Sequence, residues 1–111
     1  MALIDELMAS EHRLALGSGP EYEATLAEEA LVIVPGMVLD ARACIDAMNA
    51  SPGWDRVELT DARLLEADGV ATVVYTFSGV RGEDRYRAVL SSTYRLGDRR
   101  LILHQQTPDP S

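Results

Sequence analysis

At Ser51-Pro52-Gly53 the spacing of the apolar residues changes from three or four to two. Alternation then runs through three long segments, Asp55 to Glu66, Val70 to Val80 and Arg85 to Leu96, and a shorter one, Arg100 to Thr107. A period of two marks strands with one buried face. Asp68-Gly69 is a type I′ hairpin signal, Gly82-Glu83-Asp84 a looser loop and Gly97-Asp98 a tight turn, so the segments read as an antiparallel meander. The inner face of such a meander must be covered, and only the upstream residues are available to cover it.

Those residues read as helices. Leu3, Ile4, Leu7, Met8, Leu14 and Ala15 recur at helical spacing until Gly17-Ser18-Gly19. Pro20 suits the first turn of a second helix, with Tyr22, Leu26 and Ala30 facing inward. Leu31 to Val34 is a β-branched run ended by Pro35-Gly36, and Met37 to Leu39 reads as a brief return strand. Asp40 is an N-cap for a third helix, Ala41 to Asn49, with Cys44, Ile45 and Met48 inward. The fold class is α+β, with helices packed in a strongly curved, mainly antiparallel sheet. We expect one domain over residues 1–108 and a frayed tail at 109–111. Such a curved sheet holding a helix leaves a cavity at one end, where small-ligand sites form.

Charge narrows the function. The net charge is −8, and the acidity lies in residues 1–55, which hold ten acids and two arginines. That surface opposes a phosphate backbone, so nucleic acid is not an expected partner. Every basic residue is arginine, which removes lysine base and Schiff-base chemistry. The longest apolar run is too short to cross a bilayer, and the acidic start is unlike a secretory signal. With the lone Cys44 this points to a cytoplasmic protein with no membrane partner. No His-x-x-His or Cys-x-x-Cys motif is present, so neither metal nor cofactor is expected.

Four local stretches, in this order and spacing, carry a resemblance: Ser10-Glu11-His12-Arg13-Leu14-Ala15-Leu16, Val32-Ile33-Val34-Pro35-Gly36, Ser92-Thr93-Tyr94-Arg95-Leu96 and Leu103-His104-Gln105-Gln106-Thr107-Pro108. With them the chain resembles the nuclear transport factor 2-like superfamily, in particular its SnoaL-like and ketosteroid isomerase-like branches, over nearly its whole length. The resemblance implies a cone of three helices in a curved mixed sheet and a homodimer through the convex sheet face. It does not imply steroid isomerisation. Where those isomerases carry a base aspartate before the proline this chain has Val34, and their oxyanion tyrosine and partner acid fall near Glu11 or His12 and near Ser92. With no base beside the substrate carbon, that reaction is rejected.

Glu11 lies on the apolar side of the first helix, where a desolvated carboxyl can give or take a proton; otherwise it reaches solvent or pairs with an arginine. It is the catalytic candidate. His12 beside it is a rim candidate. Ser92 and Tyr94 share the inward face of their strand with Tyr86, Ala88 and Leu90, and bring hydroxyls either to a ligand or to backbone and water. Tyr75 and Phe77 are core or pocket wall, and Trp54 is a core plug or a lid. On the last strand, matching to the superfamily puts Gln105 inside as the ligand-orienting amide and His104 on the convex face with Val74, Val89 and Ile102; a bulge would exchange His104 and Gln105. The functional expectation is a pocket that binds or transforms a small apolar carbonyl compound by proton transfer, cyclisation or hydration. The alternative is a non-catalytic dimeric interaction domain with a vestigial pocket.

Overall fold

The computed structural model describes residues 2–109. Helix α1, Leu3–Leu16, buries Leu7, Ser10, Glu11 and Leu14, one stripe at spacings of three and four. The Gly17 N–H closes it on the Leu14 carbonyl at 3.1 Å. Helix α2, Gly19–Thr25, starts after Ser18, whose N–H donates to the Glu21 carboxylate at 2.8 Å. Gly19 is demanded by packing: a Cβ there would stand 2.1 Å from the Asn49 side chain on α3. Helix α3, Ala41–Ala50, is capped as its sequence predicts, with Asp40 Oδ1 accepting from the Ala43 N–H at 2.8 Å.

Six strands form one open mixed sheet in the order β2-β1-β6-β5-β4-β3. They are β1 Leu26–Val34, β2 Met37–Asp40, β3 Arg56–Ala67, β4 Val70–Arg81, β5 Asp84–Arg95 and β6 Leu101–Pro108. Among the described residues only the β1–β6 pair is parallel. That pair changes one expectation. Leu26 to Ala30 belong to β1 and not to α2, because Leu26 pairs with Leu101 of β6; a distant partner overrides the local helical preference of Ala27-Glu28-Glu29-Ala30.

Register shifts in three strand pairs of the described residues bend the sheet; in the β1–β6 pair Ala27 to Ala30 stand against Ile102 alone, between the Leu26–Leu101 and Leu31–Leu103 partners. In β3 an extra residue between Thr60 and Arg63 puts Asp61 at φ 56°. In β6 an extra residue, Ile102, separates the partners of Tyr94 and Thr93. The concave face and the helices bury Leu7, Leu14, Val73, Ala88, Leu90 and Leu101. Asp109 lies within the ordered fold, its N–H donating to the Arg87 carbonyl at 2.9 Å; the rest of the expected frayed tail, positions 110–111, lies outside the described residues. No described helix is long and apolar enough to cross a membrane.

Candidate functional site

Between α1, α3 and the concave sheet lies a cavity of about 190 Å³. Its walls are mostly apolar, from Leu14, Leu26, Val32, Met48, Phe77 and Leu90, and its polar groups include Glu11, Tyr22, Arg81, His104 and Gln106.

Glu11 is 2% exposed. Its Oε1 accepts from the Tyr75 and Ser92 hydroxyls, each at 2.6 Å, and its Oε2 accepts from Tyr94. Burying a carboxylate costs several kcal/mol, and hydrogen bonds to a charged acceptor return about 1.5–3 kcal/mol each, so three hydroxyls are what make this position tolerable. Burial, with the Glu11 charge next, raises the pKa of both Tyr75 and Tyr94, so they remain donors through the neutral range.

Each hydroxyl has one hydrogen, and that constrains the rest of the network. With Ser92 donating to Glu11, its contact to His104 Nδ1 at 2.7 Å must be made as acceptor. His104 then carries its hydrogen on Nδ1, and its Nε2 lone pair is turned toward Gln106 at the cavity wall. Gln106 agrees: its Oε1 accepts from the Tyr86 hydroxyl at 3.1 Å, and its Nε2 faces His104 Nε2 at 3.4 Å as a donor. Burial lowers the His104 pKa while the Glu11 charge opposes the shift, so the ring is neutral at pH 7. The cavity wall therefore presents a neutral imidazole, backed through Ser92 by a buried carboxylate whose Oε1 is 4.0 Å from Nδ1.

The candidates fall into three groups. Glu11, Tyr75, Phe77 and Trp54 line the cavity. Trp54 is part of its wall, stacked on Tyr86 with centroids 5.9 Å apart and edge-on to Phe77 at 5.5 Å. Ser92 and Tyr94 are buried beneath the cavity with their hydroxyls committed to Glu11, so they hold the acid and do not meet a ligand directly. Gln105 and His12 are exposed and outside the cavity. The Ile102 bulge explains Gln105: Leu101 and His104 both point inward, which strict alternation forbids, and Leu103 and Gln105 turn outward. His12 is turned away by the pitch of α1, one residue past Glu11. Cys44 is buried and its thiol pKa is pushed up to about 11, so it holds its proton and packs as a hydrophobe.

Sequence reasoning missed Arg81 and Gln106 as cavity residues. Arg81 was within reach, since Tyr75, Phe77, Gly79 and Arg81 share one phase of β4. Gln106 was not, because its phase depends on the bulge.

No protein-family model and no curated protein matches the chain. Solved structures do. A ketosteroid isomerase candidate from Parabacteroides distasonis superposes with a TM-score of 0.85 at 8% identity, over 98% of this chain and 89% of that one. This is a nuclear transport factor 2-like fold. An NTF2-like protein from Cytophaga hutchinsonii gives a TM-score of 0.80 at 17% identity, over 98% of this chain and 100% of that one. An LEH-like epoxide hydrolase from M. tuberculosis gives 0.71 at 16% identity, over 96% of this chain and 81% of that one. At these identities the likeness concerns the nuclear transport factor 2-like scaffold, and one scaffold of this kind hosts many chemistries.

Proposed function

We propose that this protein binds a small, largely apolar carbonyl compound in the cavity and moves a proton on it. One observation carries the reading: a carboxylate 2% exposed is wired through Ser92 to a neutral imidazole on the cavity wall. With the ligand displacing the long 3.4 Å contact from Gln106 Nε2, His104 Nε2 takes a proton from the carbon beside the carbonyl. The imidazolium that forms is stabilised by Glu11, with Ser92 holding the ring's orientation, and the proton returns from Nε2 to a neighbouring carbon or oxygen. Tyr22, whose pKa burial raises, lines the cavity as a hydroxyl donor for the developing oxyanion. The cavity is smaller than the roughly 300–1,000 Å³ of drug-sized sites, which favours a compact substrate. Support comes also from the similar structures, one described as a ketosteroid isomerase candidate and another as an epoxide hydrolase.

The test needs no knowledge of the natural substrate. Incubating the protein with cyclohexanone or acetophenone in D₂O and following the α-protons by NMR reads proton abstraction directly. Exchange faster than buffer, reduced about 10²–10⁴-fold in Glu11→Gln and His104→Gln, is the expected result. Exchange in the wild type no faster than in buffer, or a wild-type rate retained in either variant, overturns it.

A second reading concerns the outer surface. Leu31, Leu103 and Leu65 are 46%, 38% and 69% exposed, and the pairings Leu31↔Leu103, Leu103↔Thr93, Thr93↔Thr72 and Thr72↔Leu65 place them in one row across the convex face. Such a row favours pairing of two copies through this face. That agrees with the homodimer expectation, with Leu103 and Gln105 standing where His104 was expected and Val74 and Val89 nearby.

A further inference from the structure

The cavity wall carries a cation that has no ion pair among the described residues. Four of the ten arginines, Arg42, Arg87, Arg95 and Arg99, are ion-paired among the described residues; Arg81 is one of those that are not, and it is the arginine that lines the cavity. It is nevertheless held in place. Its Nε donates to the Gly53 carbonyl at 2.5 Å and its guanidinium lies 4.5 Å from the Trp54 ring centroid. Gly53 can turn its carbonyl this way because it sits at φ 76°, a conformation that costs glycine nothing. Asp55, the acid in the same loop, has Oδ2 committed to the Gly82 N–H at 2.7 Å. With Nε and the ring face engaged, the two η nitrogens remain, and they form the planar fork that matches a carboxylate.

We propose that Arg81 binds a carboxylate on the ligand, so the substrate class is a small apolar oxo acid. This rests on the reading of the cavity as a carbonyl site. The carboxylate lies on Arg81, the apolar body passes Phe77 and Leu90, and the carbonyl end faces His104. Arg81 ends β4 and Tyr75, which holds Glu11, lies six residues back on the same face, so anion and carbonyl are recognised at separate ends of the site. A phosphate group fits less well. One guanidinium balances a single negative charge, and a dianion in a chain of net charge −8 lacks a second cation among the cavity residues.

Calorimetric titration with 5-oxohexanoate and with its methyl ester tests the assignment, using the wild type, Arg81→Gln and Arg81→Lys. The acid is expected to bind the wild type at least tenfold more tightly than the ester. Arg81→Gln should abolish that preference and leave the ester unchanged, and Arg81→Lys should restore it in part, because the charge returns without the fork. Equal affinity of acid and ester for the wild type, a comparison that depends on no variant, overturns the carboxylate assignment and leaves the cavity reading intact. Binding of neither compound overturns both. Equal acid affinity in wild type and Arg81→Gln overturns the role of Arg81.

Discussion

Glu11 shows how one buried charge sets the chemistry of its neighbours. Three hydroxyls spend their hydrogens on it, and that expenditure fixes the tautomer of His104 two bonds away. Tyr75→Phe removes one donor to a charged acceptor and is expected to lower stability by about 1.5–3 kcal/mol in denaturant titration. A change under about 0.5 kcal/mol would show that the carboxylate does not depend on Tyr75. His104 adds a pH dependence whose sign follows from its lowered pKa. The unfolded chain takes up that proton near pH 6.5, while the folded chain resists until lower pH, so between the two the unfolded state binds more protons. The contribution is complete above about pH 6.5 and is lost as pH falls toward the folded value. Thermal midpoints measured from about pH 8 to about pH 5.5 should fall, and fall less in His104→Gln; an equal fall in both would remove His104 from the account.

Among the elements, β3 and β6 each carry a single-residue bulge. In β3 the extra residue places Asp61 in the left-handed region at φ 56°. Aspartate tolerates that conformation better than a β-branched residue, and glycine tolerates it best. Asp61→Gly is therefore expected to be neutral or stabilising by up to about 1 kcal/mol, and Asp61→Val destabilising by about 1–2 kcal/mol, in thermal unfolding. The reverse order would mean that the Asp61 side chain, and not its backbone, is what the bulge requires. In β6 the bulge decides which side chain lines the cavity, since it brings His104 in and leaves Gln105 outside.

The whole molecule has two faces with different chemistry. The concave side encloses a small cavity lined by Glu11 and His104 and by Arg81, which has no ion pair among the described residues; the convex side carries the exposed Leu31, Leu103 and Val89. If two copies cover that face, the wild type sediments as a dimer and Leu103→Arg as a monomer with its cavity chemistry intact. A wild-type monomer at high concentration would sink the dimer proposal without touching the cavity.

The order of the elements was readable from the chain because it depends on local signals. The period change after Gly53, the Asp40 cap and the Asp68-Gly69 turn each act within a few residues, and the helices, hairpins and inward face of β5 follow from them. The place of Glu11 on the apolar side of α1 was legible for the same reason, since it is a matter of spacing, whereas spacing left open whether its carboxyl is buried or reaches solvent or an arginine. What lay beyond the sequence was whatever depends on pairing between distant strands. Leu26 joins β1 because Leu101 is there to pair with it, and His104 faces inward because β6 accommodates an extra residue against β5. A helical stripe repeats by its own geometry, whereas the phase of a strand is set by its partner, and a single bulge reverses every residue that follows.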